Sequence, residues 1–330
     1  VPELREVAFS GSGNRGLANS DLLVCEDLII NDNVSITNTY ARDITVKGNI
    51  IKSDNSATDW VDVPVSGRES TLILSGTTTQ FVSGNLSGSS AILQLDVNNN
   101  AGVNIINTAL TDIAAGGDVE ISDQLTLTNG LVSTDTVNSL KVLADASIVG
   151  GGEFAYINGP FIREMRNGSN NYFFPIGTSN RYGRIDLESP SGFTGIKEWT
   201  ATYFYDTNPY DLFTMSTDAT SAGVEKASTW EYWNLDAVSP ANANIRPYWD
   251  TNSDVTDLTH LRVIYWDGAA WDVIPEIDAP TGSADNGNLS AGPLSFSTKT
   301  VSFGTTNQSI TLLPVELLYF RGEAQDNGNI

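Results

Sequence analysis

Between residues 20 and 157 the chain repeats one device: roughly three to five alternating β-branched or aliphatic residues, then a polar turn of Asn, Asp, Gly or Ser. Leu28-Ile29-Ile30, Val34-Ser35-Ile36, Ile44-Thr45-Val46, Asn49-Ile50-Ile51, Leu72-Ile73-Leu74, Ile92-Leu93-Gln94-Leu95 and Val103-Asn104-Ile105-Ile106 follow one another closely. Val119-Glu120-Ile121, Leu125-Thr126-Leu127, Leu140-Lys141-Val142-Leu143 and Ser147-Ile148-Val149 continue the series. Strands this short cannot form a free-standing sheet, and there is hardly any 3.6-residue pattern to supply a helix, so each must bury its apolar face on its neighbours. The pattern predicts an all-β protein whose residues 1–150 form a parallel β-helix-like solenoid, with an N-terminal strand as cap. Its turns are expected to be irregular, because the spacing between strands varies. An antiparallel sandwich would carry the same alternation and remains the alternative for this half.

Gly150-Gly151-Gly152 marks a candidate boundary, since three glycines favour a break over continued strand. Beyond it the expected strands are longer and aromatic: Glu153 to Asn158, Tyr172 to Gly177, Trp199 to Tyr205, Trp230 to Leu235 and Leu261 to Trp266. Six of the seven Trp residues fall here, at Trp199, Trp230, Trp233, Trp249, Trp266 and Trp271. Large aromatics inside alternating strands suit the core of an antiparallel β-sandwich over residues 151–312, although the same rings could form a platform for sugars. Residues 313–330 then read as a linker.

Charge narrows the partners. Acidic residues outnumber basic ones 40 to 17, for a formal charge of -23, and such a surface repels a phosphate backbone, so nucleic acid is not an expected partner. The one cysteine, Cys25, has no second thiol to pair with inside the chain, so the fold must be held by burial of β-sheet. No apolar run reaches the roughly 18 residues that a membrane-crossing helix needs, and the opening Val1-Pro2-Glu3-Leu4 reads as a mature, processed chain.

The second half also carries a resemblance. Tyr156-Ile157-Asn158-Gly159-Pro160-Phe161-Ile162-Arg163 followed by Tyr172-Phe173-Phe174-Pro175-Ile176-Gly177 resembles a pairing found in large secreted Bacteroidota proteins. So does Tyr232-Trp233-Asn234-Leu235 with Trp249-Asp250, Leu261 to Gly268 and Trp271. Leu313-Pro314-Val315-Glu316-Leu317-Leu318-Tyr319-Phe320 is similar to the segment that leads into the C-terminal sorting domain of type IX secretion cargo. The resemblance covers about residues 150–330. It implies export across the outer membrane and an extracellular or outer-surface location, with a sorting domain expected after Ile330; it implies little about ligand or activity.

Signals for chemistry are few. The single histidine, His260, sits in Leu258-Thr259-His260-Leu261, where an exposed strand position is the simpler reading. There is no Gly-x-Ser-x-Gly, no phosphate-cradling glycine loop before a helix, and no His or Cys cluster that would hold zinc. No catalytic or cofactor-binding residue is therefore assigned, although paired carboxylates leave a β-helix polysaccharide lyase or hydrolase as an alternative. In Asp250-Thr251-Asn252-Ser253-Asp254-Val255-Thr256-Asp257, side-chain oxygens of Asp250, Asn252, Asp254 and Asp257 recur as in calcium loops, but the usual glycine and distal Glu are missing and ordinary turns use the same residues. Asn33, Asn85, Asn167, Asn288 and Asn307 begin Asn-x-Ser sequons, and Asp135-Thr136-Val137 is similar to the O-glycosylation motif of Bacteroidota secreted proteins.

What remains is architecture. Leu4, Val7 and Phe9 at one end and Ile310 and Leu312 at the other lie in strand-like segments, free to pair within the subunit or with another copy. The leading expectation is a non-catalytic structural surface protein that polymerises head to tail by strand exchange. A glycan-binding adhesin module comes second and the polysaccharide enzyme third.

Overall fold

The computed structural model describes residues 3–17, 19–31, 34–52, 60–62, 69–106, 117–205, 220–221 and 223–307. The described chain is all-β, without an α-helix, and its first half is a β-solenoid of about six turns. One parallel face stacks Glu3–Leu4, Leu22–Val24, Ile44–Val46, Thr71–Leu74, Ile92–Asn98 and Val119–Asn129 in that order. A second stacks Val7–Phe9, Leu28–Ile30, Ile50–Lys52, Gln80–Ser83, Val103–Ile106 and Val132–Ser133. A shorter third face holds Gly13–Gly16, Val34–Asn38 and Trp60–Asp62.

The alternation read from the sequence decides which side chains point inward. Leu28 and Ile30 are buried with Ile29 between them half-exposed, and the same holds for Ile44 and Val46 around Thr45. Stacking then places like on like: Leu4, Val24, Val46, Leu74, Val97 and Leu127 are successive partners in register. The step varies from the 20 residues between Leu4 and Val24 to the 30 between Val97 and Leu127, which is why no fixed repeat aligns by eye. Polar turn residues stack as well. Asp27 accepts hydrogen bonds from Asn49 backbone N at 2.7 Å and Nδ2 at 2.9 Å, and the Asn49 carbonyl oxygen of the side chain accepts from Phe81 N at 2.9 Å. Inside, buried Gln80 donates to the Val46 carbonyl at 3.0 Å and accepts from Asn99 Nδ2 at 3.0 Å, so that the corner polar groups of successive turns satisfy one another.

Parallel pairing does not stop at the three glycines. Gly150 ends the strand Ser147–Gly150, which pairs with Gln124 to Leu127, and a Cβ there would lie 2.3 Å from the Leu127 carbonyl. Close approach of two turns, rather than a break in the stack, is what this glycine serves. Ile157–Asn158, expected within the first strand of the second half, instead pairs in parallel with Val132–Ser133 on one side and Ile176–Thr178 on the other. It therefore extends the second solenoid face. The expected run Tyr172 to Gly177 is divided at Pro175, whose missing N–H cannot join a ladder: Asn171–Phe174 is antiparallel to Ile185–Ser191, whereas Ile176–Thr178 is parallel.

The change of pairing happens on two strands, Ile176–Thr178, which turns antiparallel to Arg181–Tyr182, and Phe161–Arg166. Phe161–Arg166 pairs in parallel with Leu140–Val142 and antiparallel with Ile196–Tyr205. From there antiparallel pairing dominates, organised around the 25-residue strand Lys226–Asp250. Its first part lies between Ile196–Tyr205 and Ala291–Thr305, and its second part between Ile185–Ser191 and the same Ala291–Thr305. Trp199, Trp233, Trp249 and Trp271 are buried, with Trp233 edge-on to Phe303 and Trp199 edge-on to Phe296. One apolar core runs without interruption from Val24 in the solenoid to Phe303, with Val224, Ala227, Ile264 and Trp271 as a small satellite.

Candidate functional site

The first turn of the solenoid differs from those behind it. Glu3–Leu4, Val7–Phe9 and Gly13–Gly16 each pair with a strand of the second turn and, among the described residues, with nothing on the other side. Their apolar side chains are correspondingly half-covered. Leu4 is 44% exposed, and Val7, Phe9, Leu17 and Leu22 only partly cover the end of the core, whereas Leu28 and Ile30 one turn further in are buried.

Backbone groups follow the same logic. Val7 N–H donates to the Asp27 carbonyl at 3.0 Å and the Phe9 carbonyl accepts from Asn31 N at 3.0 Å, so residues 7 and 9 face the second turn. By the alternation of a parallel ladder, the Ala8 N–H and C=O face the open edge. The flanking charges are a surface pair, Arg5 with Glu26 at 2.8 Å, and Cys25, whose Sγ lies 3.1 Å from Glu3 Oε1. That hydrogen bond to Glu3 comes first among the causes that raise the thiol above its usual range, with a smaller contribution from burial. Ile310 and Leu312, with Leu313 to Phe320, lie outside the described residues.

On the solenoid flank, Glu26, Lys47, Asn49, Thr78, Gln80 and Phe81 line an open groove of about 510 Å³. Its walls are stacked polar turn residues, and it carries charges of both signs.

The antiparallel half contains an ionic cluster that the sequence pattern did not bring out. Glu231 is 2% exposed; its Oε2 accepts from Tyr203 Oη at 2.6 Å and lies 3.3 Å from Arg181 Nη2. Arg181 also donates from Nε to Tyr203 Oη at 2.7 Å and from Nη2 to Ser253 Oγ at 2.8 Å, and its guanidinium lies 4.1 Å from the centre of the Tyr205 ring. Nη1 is 3.0 Å from Asp250 Oδ1, near enough for charge attraction but too poorly aligned for a hydrogen bond. Burial pushes the Glu231 carboxyl above the usual carboxylate range, outweighing the pull of Arg181. Burial alone would lower Arg181, but Glu231 and Tyr203 hold it firmly charged. These groups join Arg181, Tyr203, Glu231 and the 250–253 turn into one buried network.

That network bears on the calcium expectation. Asp250 Oδ1 faces Arg181 and accepts from Asn252 N at 2.7 Å, while Asp250 N donates to Ser253 Oγ at 3.2 Å. Asp257 Oδ1 accepts from Thr259 N at 2.8 Å and its Oδ2 meets His260 Nδ1 at 2.5 Å. Asp254 holds the positive-φ corner of the loop. The oxygens of Asp250 and Asp257 thus serve local turns, Arg181 and the His260 ring, and no group of three or more His, Cys, Asp or Glu among the described residues is placed to hold a metal ion.

No family model, curated protein or solved structure matches the chain. Function must be argued from the residues.

Of the residues marked in the sequence, Leu4 lies on the open edge of the first solenoid face and Val7 and Phe9 on that of the second, so the expected single strand is two strands of the first turn. Asp250 faces Arg181 and Asp257 the His260 ring. Thr136 is exposed on a turn that Asp135 closes by accepting from Val137 N and Asn138 N, both at 2.7 Å. Arg163, Arg181 and Glu231 were missed as chemistry. A signal existed for Arg163: it alternates with Phe161 and Met165, so a cation occupies the inward face of an apolar strand. Among the described residues no helix is long and apolar enough to cross a membrane.

Proposed function

We propose that this chain is a secreted, non-catalytic structural protein of the extracellular or outer cell surface that polymerises head to tail, a strand of one copy adding to the open first turn of the next. The observation that carries this reading is the first turn itself, with edges unpaired among the described residues, a half-covered apolar end and an Ala8 backbone aimed outward. A heterologous contact of this kind does not close on itself, so it propagates as a filament. The donor in this reading is the segment around Ile310 and Leu312 of a neighbouring copy. The antiparallel half, read as a two-sheet sandwich, stiffens the other end of each subunit. Support for export by the type IX route comes from the sequence of residues 313–320.

The test is electron microscopy of the purified chain beside Ala8→Pro. Proline deletes the outward N–H while leaving the Val7 and Phe9 bonds to the second turn in place. Wild type should form filaments, and Ala8→Pro should stay monomeric with an unchanged circular dichroism spectrum and melting temperature. Filaments of undiminished length in the variant, or discrete wild-type monomers at high concentration, would reject the reading.

A second reading, a glycan-binding module, is favoured by the polar flank groove around Lys47, Asn49 and Thr78. It predicts hits on a glycan array that Asn49→Ala weakens; a blank array would remove it.

A further inference from the structure

At the junction where parallel pairing gives way to antiparallel, a second open groove of about 480 Å³ has Arg163 among its walls, with Asp145, Ser147, Asn170, Asn171 and Tyr172. Arg163 is 6% exposed, and no carboxylate among the described residues comes within ion-pair distance of it. Its Nη1 donates to the Phe173 carbonyl at 2.8 Å and its Nη2 to the Ala146 carbonyl at 3.3 Å, while Nε has no acceptor. The Tyr172 ring, its centre 5.2 Å from the guanidinium, covers it further. A cation this buried is ordinarily neutralised by an anion. Burial pulls it down to about 10, against the opposing influence of Tyr172 and Asp186.

The neighbouring acids are already engaged. Asp145 at the rim is 2.5 Å from Arg166, and buried Asp186 receives Arg184 Nε at 3.0 Å and Nη2 at 2.8 Å. Glu164, on the opposite face of the strand, accepts from Ala144 N at 3.2 Å. The groove therefore holds a buried cation without a carboxylate partner on a chain of net charge -23, with amide and hydroxyl side chains beside it and Asp145 at the rim engaged by Arg166. Amides and a hydroxyl suit the hydroxyls of a sugar; a guanidinium suits a carboxylate.

We propose that this groove binds a carboxylated glycan, one uronate carboxylate lying against Arg163 and its sugar hydroxyls against the exposed Asn170 and Asn171. The site does not depend on polymerisation, since it lies far along the stack from the first turn.

Isothermal titration calorimetry of the full chain with an oligogalacturonate, the matching neutral oligogalactoside and sodium sulfate at equal ionic strength tests it. The uronate oligomer should bind at least about tenfold more tightly than the other two, the difference expected of a lost charged hydrogen-bonded contact. Equal binding of sulfate would show a site for simple anions only, and equal binding of the neutral sugar would show that Arg163 plays no part; either result overturns the proposal. Arg163→Gln should abolish the uronate preference. Because Arg163 also ties two carbonyls together and its loss could unfold the junction, Ser147→Trp, at an exposed position, fills the groove instead and should abolish binding with the melting temperature retained. Undiminished binding in a folded form of either variant overturns the assignment.

Discussion

Gly130→Val should unfold the solenoid more readily than any conservative exchange of a core side chain, lowering stability by at least about 3 kcal/mol in urea denaturation. Gly130 turns the corner between Val119–Asn129 and Val132–Ser133 with φ +87°, where a β-branched residue is strained by about 1–2 kcal/mol before any contact is counted. A Cβ would also lie 1.7 Å from the Asn99 carbonyl oxygen, one turn back, and 2.7 Å from its carbon. Backbone cannot swing aside as a side chain can, so the turns must separate, adding overpacking strain of about 1–3 kcal/mol. Separation would also disturb Asn99 N bonded to the Asn129 carbonyl, Gly130 N bonded to the Phe154 carbonyl and the Gln80–Asn99 pair inside the corner. Gly195→Ala is the control: its φ is +74° but nothing lies within 4 Å, so it should cost only about 1 kcal/mol from the dihedral. If the two substitutions shift the denaturation midpoint equally, contact between stacked corners does not limit this position.

Arg181→Met is expected to be the most damaging change in the antiparallel half, because it strands Glu231 rather than merely removing a contact. Breaking a buried pair from one side costs about 3–5 kcal/mol, whereas replacing both partners with apolar groups is often tolerated. Arg181→Met combined with Glu231→Leu should therefore recover much of the loss, a non-additivity that a double-mutant cycle reads directly. The pH dependence supplies a second signature. Burial already raises the Glu231 carboxyl, and without Arg181 it rises further. A carboxyl with a raised folded-state pKa contributes its stability below the unfolded value and loses it as pH climbs through the folded one. The single variant should thus be progressively less stable from about pH 5 to pH 8, relative to wild type, and the double variant should not. A flat difference across that range would mean that Glu231 reaches water once Arg181 is gone.

Much of the architecture was legible because period-2 alternation is a local property. Leu28–Ile30, Ile44–Val46, Val103–Ile106 and Leu261–Trp266 lie where the pattern places them, and the irregular steps between strands were visible as uneven spacing. The β-branched residues settle which faces are apolar, and short apolar faces must stack, which favours a solenoid, although a sandwich carries the same alternation and only the parallel pairing decides between them. The open edge was legible in part: Leu4, Val7 and Phe9 read as a strand, but only the structure shows which backbone groups of that strand the second turn already uses.

What the tertiary structure decided is pairing, because a hydrogen-bonded partner 20 or 50 residues away leaves no mark in a local window. Of the three glycines at 150–152 that read as a break, Gly150 ends a strand still paired with Gln124 to Leu127, where a Cβ would meet the Leu127 carbonyl. Asp250 and Asp257 carried a spacing suited to calcium, yet Arg181, far away in sequence, and His260 reach them first. Glu231 acquires its chemistry from burial, which depends on what the fold lays over it, and for Arg163 the alternation with Phe161 and Met165 gave the inward face but not the missing partner. Alternation along a strand is written residue by residue; the dielectric around a charge and the neighbour across a ladder are properties of the assembled chain.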